Sequence, residues 1–300
     1  MEFIFLENTN QYLWFVSKNL NLMSTSQSKI TFKNLLWFYL AANSLLLSGA
    51  IISNKSSFWI LCILIWCNIS GLFLIYRFND CIDQEVKLRL NIYRFFSFPS
   101  HIIIFIQLVF CAIPIAFFFL EKDVLWILAI SSILGFLYSF NFKINNYSFQ
   151  LKNIFFVKNL LIGLVWGSLV LIGSNGISHP PVILLFIYCS LQVFIGGVIR
   201  DVPDLEMDRL NKVKSFPVVI GLSHTIKLLH IINLMSAAVC FFIANNFNYF
   251  MVFFIPSIWR FLNLVLLNKS PDNSRWSQWM NLFTCVLIFL SSLFYVITLR

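Results

Sequence analysis

The sequence is short of charge, and above all of negative charge. Charged residues make up 11% of the 300-residue chain, which contains only 12 Asp and Glu. A soluble domain carries about 25% charged residues, so the composition excludes an ordinary soluble protein. No GxxxxGK[ST] segment is present, which argues against a P-loop nucleotide site. The seven cysteines include no CxxC pair, which indicates packed thiols rather than a disulfide framework or a zinc site.

Long apolar runs fill most of the chain, of which 59% is hydrophobic. Runs of about 18 or more apolar residues with few charges are typical of membrane-spanning helices. The runs cover residues 31–53, 57–78, 99–120, 124–141, 154–174, 180–199, 225–243, 247–267 and 280–298. They predict an all-α, polytopic membrane protein with about nine transmembrane helices. Residues 31–300 are expected to form one membrane domain, and residues 1–30 an interfacial segment, with a disordered tail as the alternative.

The basic residues are distributed very unevenly over the two predicted faces of the membrane. The net charge is +9, from 21 Lys and Arg. With nine spans, all but three of them fall in the N-terminus and the even-numbered loops or at adjoining helix ends, the exceptions being Lys55, Lys122 and Arg300. This positive-inside pattern predicts a cytoplasmic N-terminus and an Arg300 on the opposite face of the plasma (inner) membrane. The positive charge therefore sets topology, and no nucleic-acid partner is predicted.

Seven of the twelve acidic residues fall in two short segments that both follow apolar runs. They are Asp80, Asp83 and Glu85 in RFNDCIDQEVKLRLNIYR, and Asp201, Asp204, Glu206 and Asp208 in GGVIRDVPDLEMDRLNKVKSFPVVIG. When the segments are aligned, Asp80 falls on Asp201 and Asp83 on Asp204. Both segments are predicted on the cytoplasmic face, and the even number of spans between them indicates a parallel internal repeat.

Helical spacing predicts that the aspartates form two carboxylate stripes. Positions i, i+3 and i+7 share a helix face, so Asp201, Asp204 and Asp208 would line one stripe, and Asp80 and Asp83 the matching one. Burying such like charges costs several kcal/mol unless they are compensated. Mg²⁺, which binds carboxylate, phosphate and water oxygens, is the natural compensation. The alternative is a pair of ordinary solvated loops.

Basic residues accompany the acidic segments, which favours a polyphosphate ligand neutralised by metal and side-chain cations together. They are Arg89, Arg94, Lys143, Lys152, Lys158, Arg209, Lys212 and Lys214. A diphosphate with a long apolar tail would suit both this site and a cavity in the bilayer. Metal ions stabilise diphosphate as a leaving group, and aromatic faces in a dry cavity stabilise the allylic cation that remains.

These residues resemble the UbiA superfamily of intramembrane prenyltransferases. The first signature of that family, NDxxDxxxD with an Arg–Pro-rich tail, is similar to Asn79, Asp80 and Asp83, with Arg94 where the Arg of the tail would fall. The second, DxxDxExD followed by a Leu-Pro-Val stretch, is similar to DVPDLEMDRLNKVKSFPVVIG. The intervening segments LGFLYSFNFKI and KNLLIGLVWG are similar to the Tyr-Ser, Leu-Lys and Asn-to-Trp-Gly elements of the family.

The resemblance implies helices around a central cavity and Mg²⁺-dependent transfer of a prenyl chain from a diphosphate to a small, often aromatic acceptor. It implies catalytic roles for Asp80, Asp83, Asp201 and Asp204, with Tyr138 near the reacting region. The implied metal ligands are Asp80, Asp83, Asp201, Asp204 and Asp208. The implied contacts to the diphosphate are Asn79, Arg94, Lys143, Lys152 and Lys214, and Lys87 is a further candidate for such a contact.

The sequence departs from the family pattern at three positions. Lys87 stands where the third carboxylate of the first motif would be, Phe95 where a Pro would be, and Lys212 where a Gly would be. Lys87 is open to three interpretations: direct contact with diphosphate beside one metal ion, weakened catalysis, or a divergent member with an unusual acceptor or a cyclase reaction.

The leading prediction is therefore a prenyltransferase with a small aromatic acceptor, with a terpene cyclase or a prenyltransferase with a non-aromatic acceptor as the alternative. An ion-coupled transporter and a catalytically weak binding protein are the rivals from other classes. Sites at the ends of spans, next to basic loops, favour a charged headgroup over a transported ion at the bilayer midplane. The sequence leaves the prenyl chain length, the acceptor and the oligomeric state open.

Overall fold

The structure is a computed structural model of the chain. It describes residues 32–54, 57–88, 112–113, 115–144, 147–177, 180–210, 213–244, 247–269 and 274–299. The chain divides into two compact units, Met1–Phe38 and Tyr39–Arg300. In the first unit, residues 32–38 belong to the described part and are helical, and the predicted interfacial segment 1–30 lies outside it.

Helices account for almost all of the described residues, as the apolar runs predict. They are α1 (Phe32–Ser53), α2 (Phe58–Leu88), α3 (Lys122–Ser139), α4 (Val157–Gly173), α5 (Pro180–Asp201), α6 (Leu205–Leu210), α7 (Phe216–Val219), α8 (Leu222–Ala244), α9 (Phe247–Lys269) and α10 (Ser274–Leu299).

Within the described residues, five helices are long and apolar enough to cross a membrane. Their apolar windows are Leu36–Ser53, Phe58–Ile75, Pro180–Asp201, Leu222–Ile243 and Trp279–Thr298. Three further predicted spans coincide with α3, α4 and α9, of which α4 is a shorter apolar helix. The predicted span 99–120 lies largely outside the described residues. The count of nine transmembrane helices therefore stays a prediction.

A short β-hairpin interrupts the helices between α3 and α4. Strands β1 (Asn141–Ile144) and β2 (Tyr147–Gln150) pair antiparallel, with Asn141 opposite Gln150 and Ile144 opposite Tyr147. A 3₁₀ turn, Leu151–Asn153, follows. The all-helical prediction did not include this hairpin, because four-residue strands are too short to give a clear period-two pattern between two strong apolar runs.

The surface of the second unit is apolar where that of a soluble protein would be polar. Large side chains such as Trp59, Phe118 and Leu234 are more than two-thirds exposed, whereas Ser236, Asn263 and other polar residues are buried. Exposed apolar surface on this scale marks contact with lipid or a partner. Together with the five apolar helices, it identifies an integral membrane protein.

Helix α5 lies at the centre of the described bundle and packs against α4, α8 and α10. Its approach to α4 is very close, because a Cβ on Gly163 would lie 2.7 Å from the carbonyl oxygen of Ser190. The apolar core includes Leu185, Tyr188 and Ile195 on this helix, all fully buried. The end of α5 is therefore fixed by neighbours on several sides.

A buried polar network also ties α5 to the helices that follow it. Arg260 of α9 is 1% exposed and donates from Nε to Gln192 Oε1 (3.1 Å) and from Nη2 to the Gln192 carbonyl oxygen (3.1 Å). Gln192 Nε2 in turn donates to Asn233 Oδ1 at 2.9 Å and to Ser236 Oγ at 2.7 Å on α8. The count of basic residues placed Arg260 with the exposed cations at a helix end, but the structure buries it among amides and hydroxyls.

Candidate functional site

The C-terminal end of α5 carries an ion pair that joins it to the first turn of α4. Lys158 Nζ lies 2.5 Å from Asp201 Oδ1. Asn159 Nδ2 donates to the other carboxylate oxygen, Asp201 Oδ2, at 3.0 Å. The Asp201 side chain is 5% exposed and that of Lys158 is 24% exposed. Both carboxylate oxygens are therefore engaged by protein donors.

A glycine on α5 makes room for this arrangement. A Cβ on Gly197 would lie 2.7 Å from Asn159 Oδ1, which is inside van der Waals contact. Asn159 is itself 2% exposed, so its side chain has no other direction in which to move freely. Because the carboxylate only accepts hydrogen bonds, the Asn159 amide must direct its nitrogen at Asp201. Its oxygen is then buried with no partner among the described residues.

The three aspartates of the second motif do not lie on one helix. Helix α5 ends at Asp201, a turn covers residues 202–204, and the short α6 begins at Leu205. The backbone N–H of Val202 still bonds to the carbonyl oxygen of Ile199 at 3.2 Å, and that of Asp208 to Asp204 at 2.7 Å. The prediction of one continuous i, i+3, i+7 stripe is thus wrong in its helix geometry. The sequence does contain a sign of this break, because Pro203 lies inside the turn and cannot donate a backbone hydrogen bond.

Asp204 and Asp208 nevertheless interact electrostatically with both members of the Lys158–Asp201 ion pair. Partial burial raises the pKa of Asp204, the Arg200 guanidinium opposes that rise, and the Asp201 carboxylate adds to it. Burial likewise raises the pKa of Asp208, while the Ser215 hydroxyl and the Lys158 ammonium lower it.

The second carboxylate oxygen of Asp208 has no hydrogen-bond partner in the described part of the chain. Asp208 Oδ2 and Ser215 Oγ are both buried without a hydrogen bond of normal geometry. An orphaned carboxylate oxygen of this kind fits a hard cation. Asp204 and Asp208 are thus the two carboxylates of this motif that are left available to a ligand.

Four aromatic rings, from the two residues before α4, from α5 and from α7, pack against one another. Phe155 and Phe216 have ring centroids 4.8 Å apart, and Phe194 lies 5.7 Å from both Phe156 and Phe216. Phe156, the residue before α4, has a φ of 69°, a conformation that is rare for a bulky residue and marks local strain. The chain therefore adopts an unfavourable backbone to begin α4 next to Asp201.

The other predicted site residues lie on neighbouring elements. Tyr138 is half-buried at the end of α3, Lys143 is on β1 opposite Ser148, and Lys152 is in the 3₁₀ turn. Lys214 is exposed after α6. The hairpin and turn thus follow α3 directly and precede the strained start of α4.

The first motif lies at the end of α2, where the structure describes backbone only. Asn79, Asp80, Asp83 and Lys87 all fall within Phe58–Leu88, which agrees with the helical spacing predicted for them. Arg94 lies outside the described residues. Across the ranges that are described, no three His, Cys, Asp or Glu side chains form a metal-binding group. That the two motifs face each other therefore stays a prediction.

An apolar groove lies near the other end of α2. It has a volume of about 370 Å³ and is lined by Trp59, Ile60, Cys62, Ile63, Trp66 and Phe119. Trp59 precedes Asp80 by roughly 30 Å of helix at 1.5 Å per residue. The groove contains none of the predicted site residues and is not assigned to the site.

Lys158 and Asn159 were not among the predicted site residues. The sequence did offer a signal, since a Lys-Asn pair opens an otherwise apolar run, where a cation is costly unless it is paired. Their partner, 42 or 43 residues away, follows from the packing of α4 on α5 and not from any local pattern.

Comparisons with known proteins agree with a helical membrane fold. A model of the UbiA prenyltransferase family matches residues 96–293. A comparison with curated protein sequences finds no match. Among solved structures, a UbiA homologue from Aeropyrum pernix K1 has a TM-score of 0.62 at 16% identity, covering 85% of this chain and 96% of its own.

Two other solved structures show the same likeness. A UbiA homologue from Archaeoglobus fulgidus, bound to DMAPP and Mg²⁺, has a TM-score of 0.62 at 13% identity and covers 89% of this chain and 98% of its own. A structure described in terms of digeranylgeranylglyceryl phosphate synthase has a TM-score of 0.61 at 19% identity, covering 86% and 94%. At these identities the likeness concerns the fold. Because the family model matches well over half of its residues, from 96 to 293, the chain belongs to the UbiA prenyltransferase family.

Proposed function

We propose that this protein transfers an isoprenoid chain from a prenyl diphosphate to a small, aromatic, quinone-precursor-like acceptor at the membrane surface. The observation that carries the proposal is the pair Asp204 and Asp208. Both carboxylates are partly buried and feel the charge of the Lys158 ammonium, and Asp208 Oδ2 has no hydrogen-bond partner among the described residues. Carboxylates and a cation at the end of an apolar helix suit a ligand with a charged headgroup and an apolar tail. Family membership and the A. fulgidus homologue bound to GPP and Mg²⁺ support the same assignment.

The residues of the second motif fit a magnesium ion. Asp204 and Asp208 would hold it, as expected for an ion that uses one or two carboxylates and takes its other ligands from water and phosphate. When bound, Mg²⁺ stabilises the charge that develops on a departing diphosphate. The aspartates of the first motif, Asp80 and Asp83, would hold the headgroup from the other side of the predicted repeat.

The chain's own residues account for the remaining requirements of the reaction. The allylic carbon–oxygen bond breaks, its electron pair leaves with the diphosphate, and an acceptor carbon bonds to the allylic carbon and releases a proton. Lysines at the site, with Lys143, Lys152 and Lys214 as candidates, would neutralise the departing group. Phe156 and Phe194, whose ring centroids lie 5.7 Å apart, are candidates to offer aromatic faces to the allylic cation, because a cation is attracted to the face of an aromatic ring.

A terpene cyclase is the second candidate, and Lys87 is the observation that favours it. A cation in the position of a metal-binding carboxylate changes how the headgroup is held, and a cyclase needs no external acceptor. The same ionisation would then be followed by attack from a double bond of the same chain.

The test is pyrophosphate release by purified protein in detergent, with a panel of prenyl diphosphates, with and without Mg²⁺. Asp204→Asn is the test variant, and Glu206→Gln is its matched control. Glu206 lies in the same segment but is exposed and paired with Arg209 at 3.0 Å. We expect Mg²⁺-dependent release that is lost in Asp204→Asn and kept in Glu206→Gln.

The products then separate the two candidates. A transferase gives a product whose mass is that of the acceptor plus the prenyl group, less one hydrogen. A cyclase gives a cyclic hydrocarbon or alcohol that is derived from the prenyl chain alone and forms when no acceptor is added. No release with any donor would contradict both.

A further inference from the structure

We propose that Lys158 is a diphosphate-binding cation, held in place by Asp201, and that Asp201 is a positioning residue rather than a metal ligand. This inference rests on the proposed function. It reassigns Asp201, which the resemblance to the family places among the metal ligands, and adds Lys158 to the headgroup site.

The first argument is that Asp201 has no oxygen left to offer. Oδ1 is engaged by Lys158 Nζ at 2.5 Å and Oδ2 by Asn159 Nδ2 at 3.0 Å. The side chain is 5% exposed, which leaves little room for an ion that keeps several waters around it. A metal ion here would have to displace the partly buried ammonium of Lys158 and leave it without its carboxylate partner, which is unfavourable.

The second argument is that the pair matches the fields of both helices. Lys158 is in the first turn of α4, where its charge alone would oppose the helix dipole, and Asp201 is the last residue of α5, where the same holds for its charge. Each charge is favourable at the terminus of the other helix. Because the two termini meet, the Lys158–Asp201 ion pair offsets the unfavourable interaction of each charge with the dipole of its own helix. The pair therefore needs no added cation to be favourable.

The third argument is that the local backbone is arranged for this pair. Phe156 takes a φ of 69° immediately before α4 begins, and Gly197 leaves the space that Asn159 occupies. The strained Phe156 before α4 and the small Gly197 on α5 together allow Lys158 and Asn159 to reach one carboxylate.

The fourth argument concerns the hydrogen-bonding capacity of Lys158. An ammonium carries three N–H groups, and in the described structure Lys158 donates to Asp201 alone. Its side chain is 24% exposed, and its charge lowers the pKa of both Asp204 and Asp208. Lys158 therefore has two N–H groups to offer to a phosphate that binds beside Asp204 and Asp208.

The charges of the site are consistent with this division. With Asp201 neutralised by Lys158, Asp204 and Asp208 present two negative charges, which one divalent ion balances. The diphosphate then meets one metal ion and one fixed ammonium at this motif.

The experiment separates metal binding from pyrophosphate binding in the full-length protein in detergent. Mn²⁺ affinity is measured by the loss of its free-ion EPR signal, and the affinity for inorganic pyrophosphate in excess Mg²⁺ by calorimetry. The variants are Asp201→Asn, Asp204→Asn, Lys158→Met, Lys158→Arg and the double variant Lys158→Met/Asp201→Asn, with Glu206→Gln as the control.

We expect Asp204→Asn to weaken Mn²⁺ binding by about tenfold or more, because it removes a ligand, and Asp201→Asn to leave it within about twofold, because Asp201 is not a ligand. Lys158→Met should weaken pyrophosphate binding by about tenfold, as expected for one charge-assisted hydrogen bond. Lys158→Arg should keep most of the affinity.

Folding is controlled by the melting temperature. Asp201→Asn leaves Lys158 unpaired and should lower Tm by roughly 5 °C, whereas the double variant removes both charges and should regain most of that loss. The double variant is thus a folded protein without the cation, and it should still bind pyrophosphate about tenfold more weakly.

Two results would overturn the inference: Mn²⁺ affinity that falls in Asp201→Asn as far as in Asp204→Asn, or pyrophosphate affinity that is unchanged in both Lys158→Met and the double variant. If the wild-type protein binds neither Mn²⁺ nor pyrophosphate, the proposed function itself fails. The melting temperatures of the variants still report on the ion pair in that case, so the two failures are distinguishable.

Discussion

Arg260 donates a hydrogen bond from Nη1 to Asn281 Oδ1 at 2.5 Å, deep between α9 and α10. Asn281 Nδ2 in turn donates a hydrogen bond to the carbonyl oxygen of Gly196 at 2.8 Å. Gly196 lies five residues before Asp201. The approach requires glycine, because a Cβ on Gly196 would collide with the Asn281 amide. One buried guanidinium thus fixes the segment of α5 that ends in the candidate site, and it does so without an ion pair among the described residues.

Replacing this guanidinium should destabilise the bundle and disturb the site together. Arg260→Leu leaves the oxygens of Gln192 and Asn281 buried without a donor, and we expect a loss of roughly 3 kcal/mol of unfolding free energy. The measurement is Tm in detergent, followed by pyrophosphate release at a temperature where the variant is folded. Lys269→Leu removes a cation from the exposed end of the same helix and should change neither. An Arg260→Leu protein as stable as wild type would contradict the structural role of the network.

A methyl group at Gly197 should break the contact between α4 and α5 at the site. Gly197→Ala places a Cβ 2.7 Å from Asn159 Oδ1, so Asn159 must move away from Asp201. We expect a loss of about 2 kcal/mol from overpacking and the lost hydrogen bond, read from Tm.

Gly71 provides the matched control for this substitution. It is also helical, but a Cβ there meets nothing within 4 Å. Gly71→Ala should therefore leave Tm unchanged or raise it slightly. Equal effects at the two glycines would show that Asn159 is not held as the structure has it.

Without metal, the acidic cluster should make the protein more stable as the pH falls. Burial raises the pKa of Asp204 and Asp208 above the ordinary value of 3.8, so the folded state binds protons more readily than the unfolded state does. Their ionised forms oppose folding above the raised pKa values, and this penalty is relieved as the pH falls through them toward 3.8.

Melting curves in EDTA test this sign. Asp204→Asn should raise Tm at neutral pH, and its advantage over wild type should shrink as the solution is acidified. Added Mg²⁺ should reverse the order by stabilising wild type alone. A Tm of Asp204→Asn below that of wild type in EDTA at neutral pH would contradict the desolvation of this carboxylate.

The predicted orientation follows from the distribution of basic residues and is tested by reporter fusions in bacteria. Green fluorescent protein fused after Lys214 should fluoresce, since this loop is predicted in the cytoplasm. Alkaline phosphatase fused after Arg300 should be active, since the C-terminus is predicted on the opposite face. Alkaline phosphatase that is active when fused at both Lys214 and Arg300, or at neither, would contradict the odd number of spans predicted between these two positions.

The sequence by itself determined that this is a helical membrane protein with two related acidic motifs. Apolar runs longer than a bilayer is thick admit few structures other than helices, because unpaired backbone groups are too costly in lipid. Helices α1, α2, α5, α8 and α10 follow directly from this rule. The order of the motifs indicated the family, since headgroup chemistry needs particular residue types at fixed spacing.

Only the tertiary structure decided how the second motif is used. The pairing of Asp201 with Lys158 and the burial of Arg260 both depend on contacts between residues more than 20 positions apart. Apolar periodicity is too uniform in a membrane protein to specify which helices meet, because lipid-facing and core-facing positions are both apolar. The partner of each rare polar side chain, and with it the proposed division between structural and ligand-binding carboxylates, therefore depends on helix packing.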